Sequence, residues 1–140
     1  MTVKKLTETL SVSTFVPPAE LARAAAGFRT VINNRPDGEE PGQPSSESIA
    51  HAAREVGLDY VHIPVVPGQI GASDVDKFAG ALDQHEGPVL AFCRTGTRST
   101  MLWALSQAGQ RSADEIIATA KEAGYDIEAL RPRLEQGAAA

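Results

Sequence analysis

Five apolar residues in succession, Val89-Leu90-Ala91-Phe92-Cys93, follow a Gly87-Pro88 break and end against Arg94. A run of this kind, with no polar alternation, fits a strand buried on both faces, the central position of a parallel sheet. Parallel neighbours need long crossover connections, usually helices. The rest of the chain supplies them. Residues 10–15 read as a strand, which Pro17-Pro18 stops while pre-setting a helix over 19–26 that closes at Gly27. Residues 28–33 form a second strand, followed by a long polar loop over 34–46. Ser45 or Ser46 caps a helix that stops at Gly57, and 58–66 make a third strand between turn-forming prolines. Ser73 caps a helix carrying Val75, Phe78 and Leu82, which leads to the apolar run. Beyond it come a helix over 99–108 and a second helix opened by the capping box Ser112…Glu115. A short element over 126–134 follows, in which Pro132 threatens a break, and then a frayed tail over 136–140. The expectation is a single α/β domain over 1–140: a central, mainly parallel sheet of four to five strands with helices on both faces.

Length and charge narrow the function. A chain of 140 residues holds one hydrophobic core. The net charge of -5 leaves no broad basic face for nucleic acid or an anionic membrane surface. No apolar run approaches a membrane span. Residues 1–10 carry two lysines, but Thr7-Glu8-Thr9 stands where a signal peptide needs apolar residues, so a cytoplasmic protein is expected.

The chemistry concentrates at the end of the apolar run. In open α/β sheets ligands bind beyond the carboxyl ends of the strands, which is where Cys93 falls. It is the one cysteine of the chain, so no intrachain disulfide forms. The chain then turns at once into a helix through Arg94-Thr95-Gly96-Thr97-Arg98-Ser99. Gly96 permits a tight backbone whose amides point inward, a nest backed by a helix N-terminus that favours anions, a thiolate included. Arg98 offers a planar fork for two oxygens of an oxyanion. Ser99 stands where it can donate to the sulfur or cap the helix. A nucleophile inside an anion cradle is a covalent-catalysis pattern, and it presumes a thiol that reactants can reach.

The segment Cys93-Arg94-Thr95-Gly96-Thr97-Arg98-Ser99 resembles the active loop of rhodaneses and of cysteine-dependent phosphatases. With Val31-Ile32-Asn33-Asn34-Arg35-Pro36-Asp37-Gly38-Glu39 upstream, residues 3–110 are similar to the DUF442 family. That is the phosphatase-like domain also found fused to persulfide-dioxygenase-type hydrolases of the metallo-β-lactamase fold. The resemblance implies a fold like that of dual-specificity phosphatases, a functional pairing with a persulfide dioxygenase, and Arg35 and Asp37 as candidate pocket-lining residues, an ion pair between them being one way to shape the pocket. Turn chemistry at Pro36-Asp37-Gly38 is the competing account of Asp37.

Two reactions compete for this loop. Cysteine phosphatases resemble one another in Cys-x5-Arg; here the spacing is Cys-x4-Arg, and Ser99 stands where their arginine would be. Phe92 replaces the histidine that usually precedes their cysteine. The loop over 65–70 carries no carboxylate to protonate a leaving alkoxide. Asp74 and Asp76 lie later, at a helix start. These departures favour a rhodanese-type sulfurtransferase. Cys93 and Arg98 would be catalytic, with Arg94, Thr95, Gly96, Thr97 and Ser99 holding a persulfide. The donor would be thiosulfate or a glutathione persulfide, and the acceptor a thiol, sulfite or cyanide. A phosphatase acting through a Cys93 phosphocysteine is the alternative, and a non-catalytic anion-binding module the third reading. No cofactor and no metal are expected: His51, His62 and His85 lack ligand spacing, and no nucleotide-binding glycine motif occurs.

Overall fold

The computed structural model describes residues 1–85 and 87–139. The alternation read from the sequence is realised as β1 (Val3–Lys5), β2 (Leu10–Ser13), β3 (Thr30–Asn33), β4 (Asp59–His62) and β5 (Val89–Phe92), in the sheet order β1-β2-β5-β3-β4. The apolar run is the middle strand. β5 pairs in parallel with β2 on one side and β3 on the other, β4 extends the parallel set, and β1 closes the far edge antiparallel to β2.

β1 is the strand that periodicity does not predict. All three of its residues are exposed and two are lysines, so it buries no face that would leave an alternating pattern. Lysine-rich and short, it blunts the sheet edge against further pairing.

Helices α1 (Leu21–Ala25), α2 (Ser46–Glu55), α3 (Ala72–Gln84), α4 (Thr97–Ser106), α5 (Ala113–Glu122) and α6 (Arg131–Ala139) cover both faces. Val31, Leu90 and Phe92 point to one face, against Leu21, Ala24, Ile49 and Ala53 of α1 and α2. Val12, Ile32 and Ala91 point to the other, against Phe78, Leu102, Trp103, Ile116 and Leu134. Burial on both sides explains why β5 reads as an unbroken apolar run. Fully burying one such Leu, Ile or Phe contributes about 1.5–3 kcal/mol.

Several boundaries differ from the sequence reading, and the third strand, read over 58–66, is regular only over Asp59–His62. α3 begins at Ala72 with Gly71 as its cap residue, and Asp74 Oδ2 accepts from the Gly71 N–H at 2.9 Å. α4 begins at Thr97, which puts Arg98 and Ser99 in its first turn. Pro132 breaks nothing, because it is the second residue of α6, where its missing N–H would have had no helical partner. α6 continues to Ala139 through most of the stretch read as a frayed tail; Ala140 lies outside the described residues.

The register sets up the site. Ser13, Phe92 and Asn33 lie side by side at the carboxyl ends of β2, β5 and β3. The chain after β5 therefore emerges in the middle of that edge. It is tied on both sides, by the Asn34 N–H donating to Phe92 O at 2.7 Å and the Phe15 N–H donating to Arg94 O at 3.2 Å.

Candidate active site

Cys93 leaves β5 at the floor of the loop, fully buried. The loop then folds over it, and the Gly96 N–H donates to Cys93 Sγ at 3.0 Å. Gly96 is the N-cap of α4 and holds φ at +95°, a left-handed conformation that aims its amide back at the sulfur. Thr97 and Thr100 stabilise the turn: Thr95 Oγ1 donates to Thr97 Oγ1 at 3.0 Å, and Thr100 Oγ1 donates to Gly96 O at 2.8 Å. Of the amides expected to form a nest at this edge, that of Gly96 reaches the sulfur. The thiol is not the reachable group the sequence reading presumed, since its burial means that a reactant must part the residues above it.

Arg98, in the first turn of α4, is buried and clamped. Its Nη1 donates to Glu39 Oε2 at 2.7 Å and to Val65 O at 2.9 Å, and its Nη2 donates to Glu39 Oε1 at 2.9 Å. Glu39 therefore saturates the end-on edge of the guanidinium. Among the described residues, the Nε–H and the second Nη2–H have no partner. Those two hydrogens form the side-on fork, the edge that takes two oxygens at once.

Glu39 is the functional residue the sequence reading passed over. It comes from the loop between β3 and α2 and also accepts from Arg35 Nε at 2.9 Å. Hydrogen bonds from Arg98 hold its carboxyl below the usual 4.5, against burial, with Arg35 adding to the pull. It stays ionised, so it orients arginines and does not donate protons.

Arg35 and Asp37 do not pair. Asp37 is exposed and accepts from the Ser46 N–H at 2.7 Å, so it serves the start of α2 and not the pocket. Arg35 is 4% exposed, lies 4.9 Å from the Phe15 ring, and reaches Glu39 and Glu40 instead. Arg94, exposed at the rim, pairs with Glu40 at 2.7 Å. Ser99 is turned away from the sulfur: its hydroxyl donates to Asn34 Oδ1 at 2.7 Å, fastening α4 to the end of β3. His62 contacts Arg35 O through Nε2 at 2.9 Å, a structural position. A cavity of about 270 Å³ beside the loop is lined by Glu39, Glu40, Pro67, Arg94 and Arg98. A larger cleft, about 720 Å³, lies between β4 and α3 and is lined by neither Cys93 nor its loop.

Tyr125 is the second residue that sequence reasoning missed. It follows α5, and its hydroxyl donates to Thr95 O at 3.1 Å. Burial pushes its pKa up, and the charge of Cys93 adds to the rise. A β-carbon on Gly96 would collide with this hydroxyl, so Tyr125 and Gly96 are shaped to each other. Tyr125→Phe removes the bond to the loop and little else. The expected result is a stability loss of about 1 kcal/mol, with faster iodoacetamide alkylation of Cys93 as the loop loosens. Unchanged alkylation would show that the hydroxyl does not restrain the loop.

Among the described residues there is no group of three His, Cys, Asp or Glu able to hold a metal, and no helix long and apolar enough to cross a membrane. Residues 2–110 match the sequence model of a family described as the phosphatase-like domain of beta-lactamase hydrolase-like protein. Beta-lactamase hydrolase-like proteins of Xylella fastidiosa and Agrobacterium fabrum are 42% identical over 106 residues and 40% over 119. These matches cover 74% and 84% of this chain but 25% and 28% of the relatives, so the chain spans about a quarter of their length. A crystal structure of a candidate phosphatase from Neisseria meningitidis z2491 superposes with a TM-score of 0.88 at 38% identity, over 98% of this chain and 99% of that one. A DUF442 candidate phosphatase from Shewanella putrefaciens CN-32 shares the fold at TM-score 0.77 and 24% identity, over 98% and 91% of the two chains. Tk-PTP in its active form does so at 0.75 and 16%, over 96% and 93%. Tyr125 lies beyond the span that the family model matches.

Proposed function

This chain belongs to the family of the beta-lactamase hydrolase-like protein phosphatase-like domain, and from that premise we propose that it is a cysteine-dependent phosphatase, hydrolysing phosphate monoesters through a Cys93 phosphocysteine. One observation carries the reading: Arg98 is buried and fixed by Glu39 so that its side-on fork is left for an oxyanion. The Cys93 thiolate attacks phosphorus, the ester oxygen leaves, and water then displaces sulfur to release inorganic phosphate. The Arg98 fork and the loop amides hold the equatorial oxygens as charge builds on them.

This order reverses the preference drawn from loop length. The short Cys-x4-Arg spacing and the acid-free 65–70 loop still support sulfur transfer as the second reading, since a thiolate leaving group needs no proton. Within the phosphatase reading, the same acid-free loop sets the substrate. An aryl phosphate, whose phenolate departs without help, turns over, whereas an alkyl phosphate is slower by about 10²–10⁴-fold.

The test uses intact-mass and peptide mapping after brief exposure to p-nitrophenyl phosphate. A phosphoryl adduct on the Cys93 peptide together with nitrophenolate release is the expected result. Absence of both, with thiosulfate instead leaving one sulfur on Cys93 that cyanide removes, would replace this reading by sulfur transfer.

A further inference from the structure

The loop of β3–α2 places a second carboxylate where a ligand could be. Glu40 Oε1 lies 2.7 Å from Arg94 Nε and 3.3 Å from Arg35 Nη2, on the wall of the cavity that Arg98 also lines. The two contacts differ in kind. The Arg94 pair is exposed on both sides, 63% and 47%, and such pairs contribute little and exchange readily. Arg35 is buried, and its Nη2 makes no hydrogen bond even with Glu40 nearby. A buried guanidinium donor without a hydrogen bond is a standing penalty that a better-placed oxygen would relieve.

Charge points the same way. Glu39 is committed to Arg98 and Arg35, through three hydrogen bonds to one fixed carboxylate. Glu40 is held only by ion pairs and is half exposed, so it is the member of the cluster that can leave. Once it leaves, Arg94 and the Nη2 of Arg35 flank the space it vacates, on the wall of the cavity that Arg98 lines. We propose that Arg94 and Arg35 form a second anion subsite, occupied by Glu40 in the resting protein, and that the preferred ligands are compact phosphate monoesters carrying another anionic group, a carboxylate or a second phosphate, close to the reacting one. Exchange of Glu40 for that group also parts the Arg94–Glu40 contact that joins the nucleophile loop to the loop opposite, and Cys93 is buried while that contact stands.

The subsite rests on the phosphatase reading for its substrate class, but its binding test does not need turnover. Phosphonoacetate and ethylphosphonate are nearly the same size and differ by one carboxylate; neither is hydrolysed. Calorimetric titration of the full chain is expected to show phosphonoacetate binding about 10-fold tighter, the ratio vanishing in Arg94→Ala and rising further in Glu40→Gln, where the internal competitor is neutral. Both positions are on the surface, so folding is preserved. Equal affinity for the two ligands in wild type and in Glu40→Gln overturns the subsite and leaves the phosphatase reading standing. Preference for phosphonoacetate without hydrolysis of any aryl phosphate supports the subsite and removes the phosphatase reading. Binding of neither ligand also overturns the subsite, while the phosphatase reading stands or falls with hydrolysis of the aryl phosphate.

Discussion

Glu39→Ala is expected to lower the midpoint of thermal unfolding by about 10 °C and kcat/KM for an aryl phosphate by about 10²-fold. Both effects follow from one geometry. Glu39 stands between Arg35 and Arg98, two guanidiniums that are 4% and 8% exposed and that nothing else in the core neutralises to the same degree. Removing the shared partner of buried charges costs about 3–5 kcal/mol; the lower end applies because Glu39 keeps 19% of its own surface in water. Turnover falls for a separate reason, since the end-on clamp that aims the Arg98 fork is gone and the fork is free to swing. Acid resolves the two contributions. The carboxyl of Glu39 is held below its ordinary 4.5, chiefly by the Arg98 hydrogen bonds, so its stabilisation is complete above that pH and is lost as pH falls through the lowered value. Thermal melts from pH 7 to pH 3 should therefore show a steeper acid loss in the wild type than in Glu39→Gln. Parallel acid limbs would mean that the Arg98–Glu39–Arg35 cluster does not couple to folding.

The contrast between Cys93 and Glu39 shows what a sequence can disclose about such a site. Cys93, Gly96 and Arg98 are legible because their signals are local: an apolar strand, a glycine where the backbone must turn left-handed, and an arginine at fixed spacing within one loop. Glu39 is 59 residues from Arg98 and sits in Pro36-Asp37-Gly38-Glu39-Glu40, where composition speaks of a turn and surface charge. Nothing local distinguishes it from Asp37 or Glu40, and the sequence reading chose Asp37. One signal was available. A loop arginine expected at an anion site needs a buried carboxylate to hold it, and the Val31–Glu39 segment carrying the family resemblance contains two candidates, Asp37 and Glu39. Tyr125 is invisible for the same reason, since it touches the loop across 30 residues from beyond a helix that looks merely structural. The choice between phosphoryl and sulfur transfer turns on a different kind of information. Loop length is written in the sequence, but which edge of Arg98 stays open depends on Glu39 and Val65, and only the folded chain decides that.

Gly96→Ala is the sharper test of whether the loop's shape performs the chemistry. At φ +95° an alanine meets backbone strain of about 1–3 kcal/mol before any contact is considered. Its β-carbon would also lie 2.8 Å from Tyr125 Cζ, in collision with the hydroxyl, and 3.2 Å from Ser13 O. Ser13 is fixed in β2, so the backbone cannot retreat toward the sheet. Two escapes remain. Tyr125 can withdraw and surrender its bond to Thr95 O, or the peptide at Gly96 can rotate and take its N–H off Cys93 Sγ. Rotation relieves both the strain and the collision, whereas withdrawal of Tyr125 relieves only the collision. The variant should therefore lose the amide that stabilises the sulfur and, with it, about 10²-fold in turnover, while circular dichroism shows the fold intact. Pairing it with Tyr125→Ala separates the causes, because that change clears the space and leaves the dihedral as it was. Little recovery in the double variant is expected, which would locate the requirement in the left-handed backbone itself; full recovery would locate it in the tyrosine, and wild-type turnover in Gly96→Ala alone would remove the Gly96 amide from the mechanism.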